Sequence, residues 1–142
     1  MKYDDFMPVL TFLFGLFCIS MWGLEMFSDS RLGRILGTMT KPSLRGKNWS
    51  AISTPAFSLA FIVVGVMTFA EQGIIPRALY TPCVCISLIL ILVILIGLLP
   101  IKFPRWGYAD WQYAKRHGLL DESGNIDQEA WSLHHANQKE LW

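Results

Sequence analysis

A chain of 142 residues has the length of one ordinary domain, yet 53% of its residues are hydrophobic and only 16% charged, against about 25% charged in an average soluble domain. Such an excess of apolar side chains excludes an ordinary water-soluble globule and calls for lipid as solvent. A formal net charge of +1 provides no field for nucleic acid, and three cysteines cannot close a disulfide framework.

The apolar residues are clustered into segments long enough to cross a hydrocarbon core of about 30 Å, which takes about 20 helical residues. The first is residues 6–27, with Pro8 in its first turn and Glu25 near its far end. Its leader MKYDDF sets Asp4 and Asp5 against Lys2 where a cleaved signal needs a basic start, and bulky Phe17 precedes Cys18 where a lipid-modified cysteine needs a small residue. We therefore read it as a retained span, and expect Glu25 to be solvated or paired with Arg31 or Arg34. Residues 28–50 follow. Arg31 to Leu36 can make a short amphipathic turn, but Gly33, Gly37, Pro42 and Gly46 predict an irregular, lipid-hugging loop. The second span is residues 51–70, with Pro55 early and Ser53, Thr54, Ser58 and Thr68 diluting its apolar character; the third is residues 82–101, whose stretch 88–99 has no polar side chain.

Lys and Arg alternate in the connections. The leader holds Lys2, residues 28–50 hold Arg31, Arg34, Lys41, Arg45 and Lys47, residues 71–81 hold Arg77, and Lys102, Arg105, Lys115 and Arg116 follow the last span. Cytoplasmic loops retain positive charge, so this low, high, low, high pattern predicts an N-terminus outside and a tail inside. The fold class expected is an all-α integral membrane protein: a three-span membrane domain over residues 1–101, then a cytoplasmic interfacial and helical tail over 102–142.

That tail opens with aromatic and basic residues in place of an ordinary polar loop. Trp106, Tyr108, Trp111 and Tyr113 have apolar rings with a polar edge, and Lys102, Arg105, Lys115 and Arg116 can reach anionic lipid phosphates. Lys102, Arg105, Trp106, Tyr108, Trp111, Lys115 and Arg116 are accordingly the expected lipid-interface residues. A short surface helix over 110–117 ends at Gly118 as a left-handed cap, residues 121–125 read as a turn, and Asp127 caps a last helix.

Candidate chemistry is sparse. Cys83 and Cys85 offer two thiols where a closed metal site wants four ligands, and read as packing residues. All three histidines, His117, His134 and His135, lie in the tail and read as surface residues. Glu25 is the one carboxylate inside a span and carries a proton-path reading by default, weakened by its place at the span's end. Asn48-Trp49-Ser50 matches a glycosylation sequon that this topology puts on the wrong side. Ala56 and Ala60 have the small-xxx-small spacing that lets helices approach, and Gly15 and Gly23 can receive a neighbour on the first span. With Trp131, Leu141 and Trp142 as aromatic and apolar anchors, Ala56 and Ala60 make up the expected partner-docking set.

The stretch WGYADWQYAKRHGLL, residues 106–120, resembles tails of small multi-span membrane proteins of actinobacteria, with its aromatic-acid-aromatic pattern before a basic pair and Gly. The resemblance covers this stretch alone and brings no catalytic residue. It implies a multi-pass protein of a bacterial cytoplasmic membrane, and an accessory subunit of a respiratory supercomplex as the first named role. Hence the expectation is a non-enzymatic accessory or assembly subunit, without cofactor or small-molecule substrate, whose partners are an integral membrane protein complex and anionic lipids. A small self-associating channel, holin-like protein or transporter is the alternative, and needs a polar stripe along one span.

Overall fold

The computed structural model describes residues 3–39 and 44–139, so the expected anchors Leu141 and Trp142, with Lys2, Lys41 and Pro42, lie outside the described residues. In chain order the helices are α1 (Tyr3–Phe27), α2 (Arg31–Met39), α3 (Leu44–Asn48), α4 (Thr54–Glu71), α5 (Tyr80–Gly97), α6 (Ala109–Arg116) and α7 (Gln128–Lys139). A π-helical turn, Trp49–Ser53, joins α3 to α4, and 3-10 turns precede α5 and α6. Among the described residues the regular structure is helical, with no strand and one isolated bridge between Leu120 and Ile126. Segments Phe6–Phe27, Gly46–Glu71 and Arg77–Gly97 are long and apolar enough to cross a membrane.

α4 is the middle helix, packed antiparallel against α1 on one side and α5 on the other. Glycines set how closely the helices approach. A Cβ on Gly65 would lie 2.8 Å from the Cβ of Phe12, and one on Gly15 would lie 2.8 Å from the Ser58 carbonyl oxygen. Aromatic edges fill the rest of the seam: Phe12 meets Phe69 and Phe14 meets Phe61, both edge to face. Gly97 of α5 presses against Ser53, whose hydroxyl donates to the Ile94 carbonyl at 3.0 Å. These contacts let backbones touch, which in lipid matters more than apolar area because lipid tails are as apolar as the side chains.

The second span begins earlier than its composition indicates. Helix runs from Leu44 through the π turn, in which the Thr54 N–H reaches back to the Trp49 carbonyl. Pro55 explains the widening, since its ring would crowd the carbonyl four residues back in a regular helix. α5 stops at Gly97 instead of running to 101, because Pro100 disfavours helical geometry at Leu99. α1 starts at Tyr3, so Pro8 lies well inside it and is fully buried. The basic connection contains a nine-residue helix, α2, where an irregular loop was expected. Its N-terminus is capped by Ser30, whose hydroxyl accepts from the Gly33 N–H at 3.2 Å.

Local signals in the tail match the structure. α6 ends in a Schellman motif: Gly118 has φ +65°, its N–H meets the Lys115 carbonyl, and the Leu119 N–H meets that of Ala114 at 2.9 Å. Asp121 accepts from the Ser123 and Asn125 N–H groups, and Asp127 caps α7 by accepting from Glu129 at 3.0 Å and Ala130 at 3.2 Å.

Candidate functional site

Polar chemistry gathers where the end of α1, the start of α4 and the end of α5 meet the tail. Its centre is Asn48, fully buried at the last position of α3. The amide nitrogen donates to the carbonyls of Leu99 at 2.7 Å and Ile101 at 2.8 Å, and its oxygen accepts from the Tyr108 hydroxyl at 2.8 Å. Tyr108 in turn accepts from the Phe103 N–H at 3.1 Å. Pro100 leaves the chain after α5 without helical partners, and Asn48 supplies them. One side chain thereby clasps the end of α5 and the start of the tail to the base of α4.

Beside the clasp, the Ser50 hydroxyl donates to Glu25 Oε1 at 2.6 Å, and Lys47 Nζ lies 3.2 Å from Asp110 Oδ2. Glu25, Lys47, Ser50, Tyr108 and Asp110 line a cavity of ≈ 20 Å³, room for about one water molecule. Its carboxylates, ammonium and hydroxyls are those that would hold such a water in place.

A second cluster fastens the tail to α1. Arg116 donates to the Met26 carbonyl at 3.1 Å and to Asp29 Oδ1 at 2.9 Å, while His117 Nε2 lies 3.3 Å from Asp29 Oδ2. The guanidinium thus satisfies a free carbonyl at the C-terminal end of α1 and neutralises the acid beyond it. Burial pulls the Asp29 carboxyl upward, but the Arg116 hydrogen bond and charge, together with His117, outweigh it and hold the group below its ordinary value. All three histidines meet here. Tyr113 stacks on His117 at 4.2 Å, its hydroxyl meets His134 Nε2 at 2.9 Å, and Trp131 stacks on His135 at 4.5 Å.

The structure distributes the expected lipid-interface residues over different roles. Trp106, Lys102, Arg105 and Lys115 are exposed, with Lys115 Nζ 5.3 Å from the Trp111 ring centroid. Tyr108 serves Asn48, Trp111 donates its indole N–H to the Gly124 carbonyl at 3.0 Å, and Arg116 holds α1. Of the docking set, Ala56 is buried within the bundle, Ala60 is half-buried, and Trp131 is half-buried against Tyr113 and His135. Gly15 receives α4, whereas a Cβ on Gly23 would meet open space. Cys83 is buried and Cys85 exposed.

Sequence reasoning missed Asn48 and Tyr108 as partners in the clasp and Asp29 as the acid of the second cluster. The available signal was a lone amide at the mouth of an apolar span, where a buried polar group demands partners. Among the described residues no group of three or more His, Cys, Asp or Glu is placed to hold a metal ion. No protein family, curated protein or solved structure matches this chain.

Proposed function

We propose that the chain is a non-catalytic accessory or assembly subunit of a larger integral membrane protein complex, oriented with its N-terminus outside and its tail in the cytoplasm of a bacterial cell. The observation that carries this reading is where its polar groups are committed. Asn48, Lys47, Asp110, Arg116 and Asp29 are all engaged in fastening the tail to the bundle. The outcome is a tail bonded to a bundle with apolar flanks: Leu88, Ile89, Leu92 and Leu95 of α5 are all exposed. Such an arrangement presents surfaces to a partner at little ordering cost.

The hydroxyls of α4 favour this reading over a channel. Ser53 bonds to α5, while Ser58, Thr54 and Thr68 bond back onto carbonyls of their own helical stretch, so these four side chains are engaged within the bundle. A respiratory supercomplex remains the first named partner, on the tail's resemblance alone. Trp131 is the docking position to test, because Ala60 shares the α4 face of Ser53 that packs on α5. Purification in mild detergent with mass spectrometry is expected to recover an integral membrane partner, and Trp131→Ala to reduce that recovery while leaving insertion intact. Recovery of the chain as a lone monomer overturns the proposal.

A further inference from the structure

Helix α2 packs on α1, and the way it does so fixes its depth. A Cβ on Gly33 would lie 2.5 Å from the Leu24 carbonyl oxygen and 2.8 Å from that of Ser28. α2 therefore touches the last turn of α1 itself, inside the apolar segment Phe6–Phe27, instead of extending beyond it into water. At that level Leu32 is 56% exposed and Ile35 51% exposed, continuous with Phe27 at 59%. Leu32 and Ile35 lie three apart and share a face, whereas Arg31 and Arg34 recur on another, and the helix contains no acid.

We infer that α2 is an interfacial helix seated in an anionic leaflet, with Leu32 and Ile35 on the acyl chains and its net positive charge at the level of the lipid phosphates. Three observations select lipid as the occupant. The apolar face is exposed beside the exposed Phe27 at the end of α1, the glycine seat holds it at the end of the apolar segment, where acyl chains would give way to headgroups, and its formal charge is purely basic. The structure thereby locates a membrane-surface contact in the first connection, outside the aromatic tail. α2 acts as a depth stop: because it is pinned to α1, its burial in the headgroup layer sets how far the whole bundle sinks into the bilayer. The inference stands on the chain being embedded in a membrane and is independent of any partner complex.

The test uses the full chain with Cys18, Cys83 and Cys85 replaced by Ala, reconstituted alone in bilayers of phosphatidylcholine with or without phosphatidylglycerol. Nitroxide labels at Leu32→Cys and Ile35→Cys are compared with Phe27→Cys as the lipid reference and with Ser132→Cys, exposed on α7, as the aqueous one. Collision with oxygen, relative to a water-soluble nickel complex, is expected to be severalfold higher at 32 and 35 than at 132, to approach that at 27, and to rise when phosphatidylglycerol is present. Ratios at 32 and 35 equal to that at 132 overturn the inference. So does suppression of both collision rates, which means that protein from a second copy or the chain itself covers the face. An identical ratio in the two lipid compositions overturns the assignment to an anionic leaflet.

Discussion

Asn48 joins the base of α4, the end of α5 and the start of the tail through one side chain. Its fully buried amide and oxygen serve two carbonyls and one hydroxyl in part-buried bonds. Each buried polar group left without a partner costs about 1–3 kcal/mol. Asn48→Leu strands several at once, so we predict that it lowers the unfolding free energy by about 2–4 kcal/mol in a denaturant titration in mixed micelles. Tyr108→Phe removes two bonds, the one to Asn48 and the one from the Phe103 N–H, and should cost about 1–3 kcal/mol. The two are in direct contact, and the double variant is expected to fall short of the sum. Strict additivity would show that the clasp does not act as a unit. Asp29 has a different signature. Its folded carboxyl is more acidic than the free one, so the native state binds that proton less readily than the unfolded chain does. The latch thus contributes fully above the ordinary carboxylate value of about 4 and is lost as the pH falls through the lowered native one. Asp121 is also lowered, by its bonds to Ser123 and Asn125, so wild type must be compared with Asp29→Asn. The protection of α6 amides in hydrogen exchange, taken relative to the intrinsic rate at each pH, should fall on acidification in wild type, and by less in the variant, which begins without the latch.

At the scale of helices, the seams depend on where a Cβ fits. Gly65 lies against Phe12 with no space, and Gly23 faces open space. Gly65→Ala forces α1 and α4 apart, and an overpacked contact of this kind costs about 1–3 kcal/mol. Gly23→Ala meets no obstacle and reduces the freedom of the unfolded chain, which stabilises by about 0.4–1 kcal/mol. The pair should therefore shift an unfolding midpoint in opposite directions, and equal shifts would contradict the packing described. The π turn has a consequence on the same scale. It allows Ser50 to reach Glu25 on α1 while Ser53 reaches Ile94 on α5, so the base of α4 bonds to both neighbours.

For the molecule as a whole, what matters is whether the tail and bundle move together. Among the described residues the ion pairs of Lys47 with Asp110 and of Arg116 with Asp29 join them, and the Lys47 and Asp29 side chains are each more than a third exposed. Pairs of that kind contribute about 0–1 kcal/mol each. Neither Lys47→Ala nor Asp29→Ala alone should free the tail, because the Asn48 clasp remains. Combining both with Tyr108→Phe should do so, read as a marked rise in tryptic cleavage at Lys115 and Arg116. Cleavage at the wild-type rate in that triple variant would mean that α6 is held by the Arg116 bond to the Met26 carbonyl and by apolar packing, through residues such as the fully buried Ala114. A tail that stays fixed is also the condition under which a partner could read it as one surface with the bundle.

The sequence by itself determined the apolar segments, the left-handed cap at Gly118, the turn at Asp121 and the N-cap at Asp127. Each depends on the composition of one window or on bonds between residues a few positions apart, so local chemistry suffices. The nine-residue α2 was obscured by its glycines; Gly33 looks like a helix breaker until its seat on α1 is visible. Only the tertiary structure decided that Asn48 meets Tyr108, 60 residues away, that Arg116 meets Asp29, 87 residues away, and that the three histidines gather around Tyr113. An amide at the mouth of a span must find partners, but which partners is settled by the register in which helices dock, and that register depends on glycines and prolines distributed across three separate segments.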